Sequence, residues 1–219
     1  MDLSAGADAV FGEEAHEAHD SQFGIDSDRI AERSSFWRMR TPVIGAINGA
    51  AVGAGLTITM LFDIRFVAEE AKLGFVFTRR GVIPDANVTW LLPRLVGAGR
   101  ALDLLMSGRM FRGTDAVRYG LAQESAPASE LLATATAYAR DLAINASPAT
   151  VAATKALTNR FLEHADRESA FALETKLIWW SGEQPDAMEG VMSFLEKRPP
   201  RWQVSKHAEL PAQVWPDRA

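Results

Sequence analysis

Two turns built of small residues hold the chemistry most legible in this chain. One is Ser4-Ala5-Gly6-Ala7-Asp8; the other runs from Ile47 to Leu56 and is centred on Gly53-Ala54-Gly55. Side chains this small leave backbone N–H groups uncovered. Two such groups aimed at one point can hold a carbonyl oxygen that becomes negative during reaction, because fixed dipoles stabilise developing charge without reorganising. That reading is an oxyanion hole. A plainer reading stands beside it, in which the glycines only let a strand and a helix pack closely. Nucleotide loops are excluded here: neither Lys-Ser nor Lys-Thr follows the last glycine, and no G-x-G-x-x-G is present.

The acid/base candidates are few. Asp85 follows Pro84 and, read by itself, can cap the helix that comes next. Asp63, beside Arg65 at the start of a strand, reads as a structural pair. His16 and His19 lie in an acidic run with Glu13 and Asp20, a pattern that fits a solvated face, so no metal site is expected. His164 and His207 have no partner pattern. Ser4 has no base near it in sequence, which leaves a serine nucleophile without support. Trp179 and Trp180 read as core or subunit contact.

These groups need elements to carry them. Val43 to Ile47 predicts a buried strand, Gly49 to Gly53 a turn, and Ala54 to Leu61 a short helix packed on both faces. Asp63 to Ala68 reads as a second strand and Lys72 to Phe77 as a third extended piece. The loop Gly81 to Asp85 leads into a helix over Ala86 to Leu95, interrupted near Pro93, and a second short helix follows over Gly99 to Met106. Thr114 is expected as the N-cap of a helix that Gly120 stops. Beyond Pro127 the pattern is helical throughout, over Ser129 to Asn145, Pro148 to Glu163, Asp166 to Trp180 and Asp186 to Glu196. The expected organisation is an α/β core over residues 1–126 and a helical region over 127–219.

Composition narrows the class. The chain has 219 residues, 47% of them hydrophobic, which is enough to bury a full core. A net charge of -5 with scattered Lys and Arg argues against a nucleic-acid partner. With no cysteine there can be no disulfide, thiolate metal site or cysteine nucleophile, and a cytoplasmic setting is the expectation. Met1 to Ser4 lacks the charged and apolar regions of a signal peptide. The run from Thr41 to Phe62 has no charged residue, but its proline, its glycines and its grouped β-branched residues predict strand, turn and helix rather than a membrane span.

Taken jointly, these motifs resemble the crotonase, or enoyl-CoA hydratase/isomerase, superfamily. The matching segments are Ser4 to Asp8, Pro42 to Leu56, Asp63-Ile64-Arg65, Ala71 to Gly74, Gly81 to Pro84, Leu92 to Gly97, Gly113 to Leu121, Glu189-Gly190 and Phe194 to Pro199. The resemblance implies an α/β core of repeated ββα units in a spiral, with the first strands missing from this N-terminally short member. It also implies an all-helical C-terminal region used for trimer formation, as a homotrimer or a dimer of trimers. The implied substrate is an acyl-CoA thioester, with no cofactor beyond the coenzyme A it carries. By the same resemblance, the backbone N–H groups of Ala7 and Ala54 hold the thioester oxygen. Ala5, Ala7, Asp8, Ala9 and Val10 would border the coenzyme A, and Phe194 and Lys197 could reach it, often from a neighbouring subunit.

The two carboxylates of a hydratase in this superfamily fall at Thr57 and Phe77, neither of which can be a general base. Asp85 remains, at the place where isomerase-like and dehalogenase-like members carry an acid. The dehalogenases also use a histidine in the neighbourhood held here by Ile30. The expected activity is therefore a double-bond shift with Asp85 as the proton carrier. Hydration and a non-catalytic assembly role are the alternatives.

Overall fold

The computed structural model describes residues 36–163 and 166–211. Twice the chain runs from a strand in one sheet to a strand in another and then into a helix. β1 (Ile44–Ile47) is followed by β2 (Ala51–Val52) and α1 (Ala54–Thr57); β3 (Ile64–Ala68) is followed by β4 (Lys72–Gly74) and α2 (Val88–Val96). Next come α3 (Ala98–Ser107), β5 (Phe111–Arg112), α4 (Gly113–Tyr119) and β6 (Glu124–Ala126). The first sheet has the order β1-β3-β6 and is parallel, with Ile44 opposite Ile64 and Phe66 opposite Glu124. The second has the order β2-β4-β5, parallel between β2 and β4 and antiparallel between β4 and β5.

Parallel neighbours need crossover connections, and the crossovers supply the second sheet and its helices. Ile44, Ile47, Ile64 and Val67 are β-branched residues suited to a pleated, covered surface. The core between the layers is filled by Leu56, Val67, Leu73, Phe75, Val88, Leu91, Leu92, Leu104 and Leu121. Four helices follow: α5 (Ala128–Asn145), α6 (Pro148–Glu163), α7 (Arg167–Gly182) and α8 (Pro185–Glu196). The first of these packs on β1 and β3 and adds Leu131 and Ala135 to the same core. A smaller cluster of Ala153, Leu173, Leu177 and Leu210 joins α6 and α7.

The structure departs from the sequence reading in several places. The turn expected over Gly49 to Gly53 carries strand β2 at Ala51–Val52. The helix expected over Ala54 to Leu61 is an α-helical turn to Thr57 followed by a 3-10 turn over Ile58–Leu61. The extended piece expected to Phe77 stops at Gly74. Pro93 does not interrupt α2, which continues to Val96; the missing N–H removes one helical bond, and the burial of Leu91 and Leu92 on the core side outweighs it. The N-cap of α4 is Arg112 rather than Thr114, because Asp115 reaches back to accept the Arg112 N–H at 3.1 Å. No helix among the described residues is long and apolar enough to cross a membrane.

Candidate active site

The turn between β2 and α1 is set by Gly53, whose φ of 57° and ψ of -128° suit a residue without a Cβ. Its N–H donates to Gly74 O at 2.9 Å, tying the turn to β4, and its carbonyl accepts from Leu56 N and Thr57 N at 2.9 and 3.0 Å. Ala54 is thereby the first residue of α1. The N–H at that position has no acceptor within its own helix, which leaves it for a ligand or solvent. Ala54 is exposed.

Three residues on, Thr57 lies on the same face of the turn and is fully buried. Its Oγ1 is 3.0 Å from Ala54 O and 2.9 Å from Asp85 Oδ1. One hydroxyl therefore bridges the residue that presents the N–H and the carboxylate singled out from sequence. Asp85 itself is exposed.

Asp85 does not cap α2 with its side chain. The N-cap is Asn87, which makes no side-chain cap bond, and Asp85 contributes only its carbonyl, which accepts from Val88 N at 3.1 Å. Ala86 and Asn87 both adopt left-handed backbone, with φ of 49° and 61°. For a residue with a Cβ this costs about 1–2 kcal/mol. The two turns hold the chain so that the carboxylate faces α1 while the backbone enters α2.

Phe77 is 8% exposed and closes the other side of the Gly53 turn, its Cζ 3.9 Å from where a Cβ on Gly53 would stand. Two positions that carry carboxylates by resemblance thus hold a ring and a hydroxyl. Sequence reasoning set Thr57 aside as unable to act as a base. Its i, i+3 relation to Ala54 was readable; its contact with Asp85, 28 residues away, was not.

Ala5, Ala7, Asp8, Ala9 and Val10 lie outside the described residues, as do Ser4, Ile30, His16 and His19. Phe194 is 81% exposed on α8, and Lys197 is the left-handed C-cap of that helix. Phe194 lines a cleft of about 890 Å³ with Trp179, Trp180 and Trp202. Neither Asp85 nor Ala54 lines it, so the described chain does not bring Phe194 to them. A second cleft, of about 580 Å³, is lined by Trp37, Phe62 and Lys155 and is equally separate from Asp85.

Asp63 is structural. Its Oδ2 accepts from Val43 N at 2.6 Å and pairs with Lys155 Nζ at 2.7 Å. Arg65 directs its guanidinium to the carbonyls of Leu121 and Phe62 instead. Burial pushes the Arg65 guanidinium down to about 10, and the nearby charge of Asp63 partly opposes that.

The family model for enoyl-CoA hydratase/isomerase matches residues 3–205. An enoyl-CoA hydratase of Alternaria alternata is 44% identical over 171 residues, which is 78% of this chain and 57% of that protein. A probable enoyl-CoA hydratase of Bacillus subtilis is 38% identical, the match covering 81% of this chain and 70% of the relative. Among solved structures, a probable enoyl-CoA hydratase/isomerase of Mycobacterium abscessus superposes with a TM-score of 0.76 at 39% identity, covering 78% of this chain and 66% of that one. The chain spans a little over half the length of its Alternaria relatives. The parallel sheet, its ββα crossovers and these matches together make the chain a member of the enoyl-CoA hydratase/isomerase family with the crotonase fold.

Proposed function

We propose that the chain acts on acyl-CoA thioesters and shifts a carbon–carbon double bond along the acyl group. The observation that carries this is the Thr57 hydroxyl, which joins the Ala54 end of α1 to the Asp85 carboxylate and so sets one proton carrier beside one oxyanion donor. Ala54 N–H, with Ala7 N–H as the second donor, holds the thioester oxygen. Asp85 takes a proton from C2 of a 3-enoyl-CoA. The electron pair moves onto the held oxygen, then returns as the double bond re-forms between C2 and C3, and Asp85 delivers the proton to C4. Each such donor lowers the barrier by about 2.7–4 kcal/mol. One carboxylate suffices, because the proton removed is the proton returned.

Hydration is the second reading, favoured by relatives whose printed names say enoyl-CoA hydratase. Against it stand Thr57 and Phe77, which offer no second carboxylate to activate water. Coenzyme A enters only as part of the substrate. Exposed Ile178, Trp179, Val191, Phe194 and Leu195 suit burial against further copies of the chain, as a homotrimer or dimer of trimers. The lack of cysteine fits a cytoplasmic setting.

The test incubates the chain and its Asp85→Asn variant with a 3-enoyl-CoA and, separately, a 2-enoyl-CoA. The double-bond shift should be present in the first and lost in the variant, with coenzyme A binding retained. A variant that isomerises normally removes Asp85 from the mechanism. Water addition to the 2-enoyl-CoA without any shift selects hydration, and no binding of coenzyme A selects the assembly role.

A further inference from the structure

We infer that Thr57 is a positioning residue for proton transfer, its hydroxyl following the charge on Asp85. The inference rests on the double-bond shift proposed above. Thr57 Oγ1 carries one hydrogen and has two acceptors in reach, Asp85 Oδ1 at 2.9 Å and Ala54 O at 3.0 Å. A hydroxyl donates once, so the two are alternatives. While Asp85 is a carboxylate the hydrogen goes to Oδ1, since a bond to a charged acceptor is the stronger. Oδ1 is then fixed by Thr57, and the other oxygen is left to face the acyl chain.

When that free oxygen takes the proton from C2, the carboxyl becomes neutral and the hydroxyl turns to Ala54 O. When the proton leaves for C4, Oδ1 recovers its donor. One C–H bond breaks at C2 and one forms at C4, the electron pair passing onto the thioester oxygen and back, and no oxidant or reductant takes part. Thr57 is fully buried, so a hydroxyl with no acceptor would be costly in either state. The second acceptor removes that cost.

Two features set this apart from ordinary helix threonine bonding. Thr59, two residues on, makes only the local bond, to Leu56 O at 2.7 Å. Thr57 alone of the two receives a carboxylate from a distant segment, and that segment is held by left-handed Ala86 and Asn87, a conformation that persists only where surrounding structure imposes it.

The experiment measures kcat and KM of the 219-residue chain with a 3-enoyl-CoA for Thr57→Val, Thr57→Ala and Thr57→Ser, beside Asp85→Asn. Val and Ala should lower kcat on the order of 10²-fold, the scale of a misplaced catalytic group, with KM little changed. Ser, which keeps the hydroxyl, should restore most of the rate. Val and Ala differ in volume, so either folded variant decides the matter. Wild-type kcat in Thr57→Ala, or a Ser variant as slow as Val, overturns the role of Thr57. If Asp85→Asn is inactive while Thr57→Ala is fully active, this inference alone fails. If Asp85→Asn is itself active, the double-bond reading fails first.

Discussion

Lys155 Nζ on α6 lies 2.7 Å from Asp63 Oδ2 at the entry to β3, a contact between groups 92 residues apart in the chain. The same ammonium donates to Phe36 O at 2.7 Å and to Thr41 O at 3.3 Å, and Asp63 also holds Val43 N–H at 2.6 Å. The helical region is thereby fastened to the strand layer through a nearly buried cation. Removing one partner leaves an uncompensated charge, so Lys155→Met should destabilise the chain by about 3–5 kcal/mol. A double-mutant cycle with Asp63→Asn, followed by chemical denaturation, should recover part of that loss. Strict additivity would mean that the two groups do not act as a pair.

A second prediction concerns the junction of β5 and α4. A Cβ on Gly113 would stand 1.9 Å from Ala68 O, a backbone atom that also accepts Ala71 N–H at 3.0 Å and so has no freedom to retreat. Gly113→Ala should therefore cost at least about 3 kcal/mol, at the upper end of overpacking effects. One residue on, Thr114→Ala should cost under about 0.5 kcal/mol, well short of the ~1 kcal/mol of a lost cap. Denaturation midpoints compare the two directly. A larger loss at Thr114 than at Gly113 would restore Thr114 as the cap.

The third prediction is a pH dependence. Glu189 meets Arg198 through both oxygens, at 2.6 and 2.9 Å, and accepts Arg201 N–H at 2.6 Å. The Arg198 guanidinium, then the Arg201 N–H, hold its carboxyl down at about 2, against an ordinary 4.5. The unfolded chain binds this proton at higher pH than the folded one. The stabilisation is therefore complete above about pH 4.5 and is lost as pH falls from there towards 2. Thermal melting across that window should show the decline, and Glu189→Gln should flatten it. An identical curve for the variant would assign acid unfolding to other carboxylates.

Which parts of this were readable in advance follows from the range of the interactions involved. β1 and β3 announce themselves through local runs of β-branched residues, and α6 begins at Pro148 and ends at Glu163 as its pattern predicts. β2 and β5 do not, because each is a two-residue strand that exists only through β4. Likewise, Asp63 was expected to be structural, but its partner was not readable: burial sends Arg65 to carbonyl oxygens and Lys155 arrives from another helix. At the site, Ala54 and Asp85 stood out through the family resemblance of the motifs around them. The hydroxyl that links them did not, since threonine in a helix carries no signal of what will pack against it.

The last prediction separates the two glycines of Gly53-Ala54-Gly55. Gly53 has φ of 57° and ψ of -128°, which a Cβ strains whatever the surrounding space, and its amide and carbonyl both fix the first turn of α1. Gly55 has ordinary helical backbone, and beyond its chain neighbours and its own helix backbone no described atom lies within 4 Å of where its Cβ would be. Gly53→Ala should lose about 1–3 kcal/mol of stability. It should also lower kcat for the double-bond shift, because relief of the strain turns the Ala54 N–H away from its line. Gly55→Ala should leave stability unchanged or raise it by about 0.4–1 kcal/mol, since alanine gives up less chain entropy on folding. Urea denaturation of both variants, with kcat on a 3-enoyl-CoA, reads the two effects separately. Equal losses at the two positions would mean that the loop needs small residues for packing alone, and that its backbone geometry does not aim the Ala54 donor.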